Sequence, residues 1–222
     1  LAQLVIQGLA LPMVHHFGQG DSAKGYQTTM AIFSTLAVVF FLVTFATTRE
    51  RIQPPPGQKA SVGQHFRDLT KNGPWLAMFV LTLVLFITLS MRGSVVPYYF
   101  TYFVDKQSLA RLFGALGVNA AGDAGPLVSL GFSVFHVLGT LATIIAIFFS
   151  KGLALRFGKR NVFLAGLVGT VLFTATFLFL PAGAVALMFA SEILRQFAYG
   201  FTIPLLWAMM ADGADFSEWK TG

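Results

Sequence analysis

Tyr26-Gln27-Thr28-Thr29-Met30-Ala31-Ile32-Phe33-Ser34-Thr35-Leu36-Ala37-Val38-Val39-Phe40-Phe41-Leu42-Val43-Thr44-Phe45-Ala46-Thr47 contains no charged side chain. A helix crosses bilayer hydrocarbon with about 20 predominantly apolar residues, so this stretch reads as one membrane span. Five further runs share its character: residues 1–17, 75–104, 127–150, 161–180 and 184–211. Between them stand Gly18-Gln19-Gly20-Asp21, Pro54-Pro55-Pro56-Gly57, Gly122-Asp123-Ala124-Gly125-Pro126 and Pro181-Ala182-Gly183, clusters that mark loops. The run over 75–104 is too long for a straight perpendicular span; it must tilt, kink at Pro97 or emerge from the membrane.

Composition agrees. Hydrophobic residues make up 55% of the chain and charged residues 11%, where soluble domains carry roughly a quarter charged residues. The expected fold is an all-α polytopic transmembrane helical bundle in a lipid bilayer, not a soluble domain. With no Cys, a disulfide framework and a thiolate metal site are excluded. The net charge of +6 lies in short basic patches between apolar runs, which excludes a nucleic-acid face and suits juxtamembrane anchoring. Enzyme signatures are absent. His15 and His16 are adjacent, not spaced as a helical zinc pair, and no Gly-x-Ser-x-Gly elbow or Walker loop occurs. The chain opens inside an apolar run without Met and stops just past another, so an internal piece of a longer protein is expected.

Charge sets the expected orientation. Arg49, Arg51, Lys59, Arg67 and Lys71 crowd one loop against Glu50 and Asp68; Lys151, Arg156, Lys159 and Arg160 crowd another with no acid. The alternate loops hold only Lys24, then Lys106 and Arg111, then no basic residue. The positive-inside rule places both basic loops, and both ends of the chain, in the cytoplasm. Residues 48–73, polar and with three consecutive prolines, read as a linker. It divides two spans in 1–47 from four in 74–222. Ala165 and Gly169, four apart, provide a small-residue face for close helix approach.

Ionisable groups inside a span are costly and mark functional candidates. Arg92, His136, Glu192 and Arg195 lie inside runs, and Asp212 ends the last one. Glu192 and Arg195 are three apart and share a helix face; structural pairing and a role in binding or gating both remain open. Arg92 has no acid in its own run, which favours function. His136 fits either a functional or a packing role. Tyr98 opens the aromatic cluster 98–103, whose later members suit an interfacial belt. Trp207 follows Pro204, where a helix break would expose its face for a sugar to stack on; a belt position is the alternative.

The end of the chain, Trp207-Ala208-Met209-Met210-Ala211-Asp212-Gly213-Ala214-Asp215-Phe216-Ser217-Glu218-Trp219-Lys220-Thr221-Gly222, closely resembles a family motif. In glycoside–pentoside–hexuronide:cation symporters, the melibiose-permease-like branch of the major facilitator superfamily, it follows the tenth span. Phe216 stands where Tyr is more usual. Arg92-Gly93 followed by Pro97-Tyr98-Tyr99 resembles the family's seventh span. Leu153-Ala154-Leu155-Arg156-Phe157-Gly158-Lys159-Arg160 resembles the superfamily's basic loop, with Leu155 where an acid commonly precedes the Arg.

The resemblance implies a major-facilitator bundle, incomplete here, with these runs as spans five to ten of twelve and the remaining N- and C-terminal spans beyond the chain. It implies alternating-access transport of a sugar with a monovalent cation, Na⁺ or H⁺, across a cell (inner) membrane. No cofactor is implied, and the cation site falls mostly on upstream spans. Arg92, Trp207, Glu192, Arg195, Tyr98 and His136 become substrate-cavity candidates. Asp212, Asp215, Glu218 and Lys220, with Arg156, Lys159 and Arg160, become cytoplasmic gate candidates. The alternative is a non-transporting membrane sensor or scaffold with the same fold.

Overall fold

The computed structural model describes residues 2–49, 69–117 and 124–221. Helices occupy every apolar run: α1 (Ala2–Gly18), α2 (Ser22–Thr47), α3 (Gly73–Tyr98), α4 (Lys106–Ala115), α5 (Ala124–Phe157), α6 (Lys159–Thr176), α7 (Val185–Gly200) and α8 (Thr202–Thr221). No strand occurs among the described residues, so the expected all-α bundle is what forms. Ser22–Thr47, Gly73–Phe103 and Gly125–Phe157 are each long and apolar enough to cross a membrane. Phe40, Phe41, Phe45 and Phe148 stand largely exposed on them, a surface suited to lipid rather than water. Most of the expected linker, residues 50–68, lies outside the described residues.

Pro97 lies inside the helix of the third run. It has no N–H to donate to the Gly93 carbonyl, and the helix relaxes just beyond it into a π-helical turn, Tyr99–Phe103. There Val104 N–H reaches back five residues to the Tyr99 carbonyl at 3.1 Å. Asp105 then caps α4 by accepting from the Ser108 N–H at 2.9 Å. Hydrogen bonds from Ser108, side chain first and backbone next, hold the Asp105 carboxyl below the usual carboxylate range. Helix α4 was not anticipated, yet Leu109, Leu112 and Phe113 give it an apolar stripe, with Leu109 and Phe113 buried.

The last run is two helices, not one. Pro204 removes the N–H that would bond Gly200, and its ring crowds that carbonyl; α7 accordingly ends at Gly200 and α8 begins at Thr202. Gly200 also lies where α7 presses on α5: an added Cβ would fall 2.6 Å from the Ala146 Cβ and 2.7 Å from the Thr143 carbonyl oxygen. Gly169, from the expected small-residue face, meets the Ala198 Cβ on α7. The α1–α2 hairpin is equally close, since a Cβ on Gly25 would fall 2.2 Å from the Val14 carbonyl oxygen.

Two apolar clusters lie among α3 to α8 and the turns between them. Near α4, Phe100, Leu109, Phe135, Met188 and Phe189 form a buried aromatic core, with Phe100 and Phe135 edge-on at 5.0 Å. Near the start of α3, Val162, Phe163, Leu205 and Leu206 form a smaller one. Between the two clusters lie the buried charges.

Candidate functional site

Helix α3 and the π-helical turn after it present one stripe to a cavity. Leu85, Thr88, Leu89, Arg92, Val95, Val96 and Tyr99, spaced by three or four, line a cavity of about 360 Å³. Helix α6 adds Leu167, Thr170 and Thr174, the segment after it Phe177, and α7 adds Arg195 and Tyr199. Beside this lining sits Glu192, only 1% exposed. Arg195 grips it with two hydrogen bonds, Nε to Oε2 at 2.8 Å and Nη2 to Oε1 at 2.7 Å. Arg92 donates from Nη2 to the same Oε2, across 100 residues of sequence.

One carboxylate thus serves two guanidinium groups. Ionised side chains buried without partners cost several kcal/mol each, and the bidentate bond to Glu192 offsets part of that for Arg195. The triad keeps one formal positive charge. Arg92 is where that charge meets the cavity: its side chain is 21% exposed, against 4% for Arg195. Its Cζ lies 5.3 Å from the Phe177 ring centroid, a favourable cation–π distance. Among the described residues, Arg92 makes no hydrogen bond other than that to Glu192.

The cavity wall is otherwise apolar, with a few hydroxyls. Thr170 and Thr174 donate to the carbonyls of Gly166 and Thr170 at 2.8 and 2.7 Å, leaving oxygen lone pairs free to accept. The Tyr99 hydroxyl is buried with no hydrogen-bond partner, while its ring packs edge-on to Phe177 at 5.9 Å. A buried polar atom without a partner costs about 1–3 kcal/mol; Arg92, partly exposed, is the group whose donors reach the cavity.

Three of the six cavity candidates, Arg92, Glu192 and Arg195, are brought together. His136 sits on α5 against Phe132, with ring centroids 4.2 Å apart, and its Nδ1 lies 3.0 Å from the Phe132 carbonyl oxygen. It is within electrostatic reach of all three charges but does not line the cavity. Tyr98 is 64% exposed and stacks on Tyr102. Trp207 is 59% exposed on α8, also away from the cavity. Of the polar lining residues, sequence reasoning missed Thr88, Tyr99, Thr170, Thr174 and Tyr199. Helical spacing held the signal: Tyr99 is seven residues from Arg92 and Tyr199 four from Arg195, whereas Tyr98 is six from Arg92 and points elsewhere.

At the end of the bundle where α3 begins, Lys159 Nζ donates to both Asp212 oxygens at 2.9 and 2.7 Å. Both side chains are about half exposed, at 47% and 54%. Asn72 caps α3 by accepting from the Trp75 N–H at 3.2 Å and donates its amide to the Gly213 carbonyl at 2.9 Å. Buried Asn72 therefore ties the start of α3 to α8, a link the sequence analysis missed. Asp215 and Arg160 are exposed, and the Arg156 Cζ lies 5.3 Å from the adjacent Phe157 ring. The side chains of Glu218 and Lys220 lie outside the described residues.

The sequence profile of the family described as MFS/sugar transport protein matches residues 1–130 and 128–222. YagG of Escherichia coli K12, proposed to be a glycoside/cation symporter, is 30% identical over 221 residues, covering 99% of this chain and 43% of that protein. The isoprimeverose transporter of Lactiplantibacillus pentosus is 28% identical, covering 100% of this chain and 42% of that protein. The inner membrane symporter YicJ of Escherichia coli K12 is 25% identical, with 96% and 42% covered. The chain thus spans about two fifths of the length of these relatives. No solved structure matches it.

Proposed function

The chain belongs to the MFS/sugar transport protein family, and from that premise we propose that the whole protein carries a sugar across a cell membrane together with Na⁺ or H⁺ by alternating access. It is a multi-pass membrane protein of a transporter family, not an enzyme. On this reading the six runs are spans five to ten of twelve. Residues 1–47 close the first bundle, 48–73 link the halves, and 74–222 open the second. Both basic loops face the cytoplasm of a cell (inner) membrane. The names of the relatives, an isoprimeverose transporter and a proposed glycoside/cation symporter, support a sugar as cargo. Midplane sites between rocking bundles are the common plan of such transporters.

The observation that carries the reading is the cavity of about 360 Å³ at the Arg92–Glu192–Arg195 network. Fixed charges and hydroxyls inside a span are costly, and their use is to hold a polar cargo. The Lys159–Asp212 pair, with Asp215, Glu218 and Lys220 nearby in sequence, forms the cytoplasmic gate. Asp215→Asn should therefore slow transport more than it weakens sugar binding, and equal losses in both would remove Asp215 from the gate.

Counterflow of labelled sugars into proteoliposomes holding the whole protein tests the reading. Uptake should follow an imposed Na⁺ or pH gradient. Absence of uptake for every pentoside, hexoside and hexuronide, with the protein folded, would favour the sensor or scaffold instead.

A further inference from the structure

We infer that the cleft between α6 and α7 binds one anionic phospholipid, whose phosphate meets Arg156 and Arg160 and whose acyl chain fills the cleft. This goes beyond the transport reading and needs only the membrane setting of the chain. The cleft is a second cavity, of about 430 Å³, and shares no lining residue with the one at Arg92. Phe157 from α5, Asn161, Ala165 and Phe173 from α6, and Leu194 and Phe197 from α7 wall it. Phe157 and Leu194 are 53% and 47% exposed, so the cleft opens on the outer face of the bundle. Gly166 closes it behind: a Cβ there would fall 2.9 Å from the Ala198 carbonyl oxygen, so the two helices touch at the floor.

Polarity runs along the cleft in one direction, as it does along a lipid. Asn161 to Phe173 rises about 18 Å on α6, close to one leaflet of a hydrocarbon core about 30 Å thick. Cations stand at the Asn161 end, and the Phe173 end is apolar. Lys151, Arg156, Lys159 and Arg160 occur there with no acid among them. Asp212 occupies Lys159. Arg156 and Arg160 are exposed and join no ion pair among the described residues. Arg156 is placed at the mouth by Phe157, a lining residue whose ring centroid lies 5.3 Å from its Cζ. Arg160 immediately precedes Asn161, whose amide donates one N–H to the Phe157 carbonyl at 3.1 Å and keeps the other for a phosphate oxygen. Guanidinium groups match phosphate in shape and charge, and basic pockets between membrane helices take anionic head groups.

The test measures binding of radiolabelled dioleoylphosphatidylglycerol and dioleoylphosphatidylcholine to the whole protein in detergent. One phosphatidylglycerol per protein should bind in preference to phosphatidylcholine. Arg156→Gln together with Arg160→Gln should weaken phosphatidylglycerol roughly 10- to 30-fold, the contribution of two cations near anionic lipid, and leave phosphatidylcholine unchanged. Ala165→Phe, which fills the cleft from its exposed side, should weaken both lipids. Unchanged unfolding midpoints without added lipid show that these variants fold. Lys106→Gln with Arg111→Gln removes two cations from the opposite end of the bundle and should change nothing; an equal loss there would reduce the effect to net charge and overturn the site. Equal binding of the two lipids by wild type would overturn it as well. So would full phosphatidylglycerol binding by Ala165→Phe, the result expected if further spans of the whole protein cover the cleft. Inorganic phosphate that displaces the label as well as unlabelled phosphatidylglycerol does would assign the cations to a free anion and overturn the lipid claim.

Discussion

Two ion pairs of similar chemistry sit in very different surroundings. At Glu192, 1% exposed, a carboxylate between two arginines is sealed inside the bundle. At Asp212, 54% exposed on its side chain, a carboxylate meets Lys159 at the surface. Water decides what each is worth. Breaking a buried pair strands a charge in low dielectric, whereas breaking a surface pair hands both ions back to solvent. The first suits a permanent fixture of a cargo cavity. The second suits a contact made and broken in each cycle.

Substitutions at each position should rank in that order. Glu192→Gln strands Arg92 and Arg195 together and should cost about 3–5 kcal/mol of stability, read as the unfolding midpoint in detergent. Arg195→Gln should fall near the lower end of that range, about 3 kcal/mol, because Glu192 keeps only its Arg92 bond. Arg92→Gln should cost about 1 kcal/mol, since the bidentate Arg195–Glu192 pair survives as a neutral unit. Lys159→Ala should cost less than about 1 kcal/mol. That last difference should vanish in about 1 M salt, where the Debye length is about 3 Å, while the Glu192 effect should persist. A Lys159→Ala penalty that survives high salt would show this end to be a structural clamp and erase the contrast.

Much of the fold was legible because bilayer thickness and apolar run length leave little choice. What escaped was set by contacts between runs. Glu192 and Arg195 announced their pairing by a spacing of three, but the Arg92–Glu192 bond joins residues 100 apart, and no local pattern reports it. Tyr98 was favoured over Tyr99 because the cluster was read as a block rather than along the helical stripe from Arg92. Helix α4 escaped because its ten residues are too few and too polar to be a span. The split at Phe201 was half visible: Pro204 signalled a break, but the helix ends ahead of it, where the Gly200 carbonyl loses its donor. Asn72 was overlooked although Asn before Gly-Pro is a good helix start; its second bond, to Gly213 on α8, depends on tertiary structure.

The central claim is a division of labour between the two charge sites, and binding measured beside transport tests it most directly. In the whole protein, Arg92→Gln should lose affinity for the transported sugar, whereas Lys159→Ala should keep that affinity and alter only the rate of translocation. Equal loss of affinity in the two variants would contradict the account.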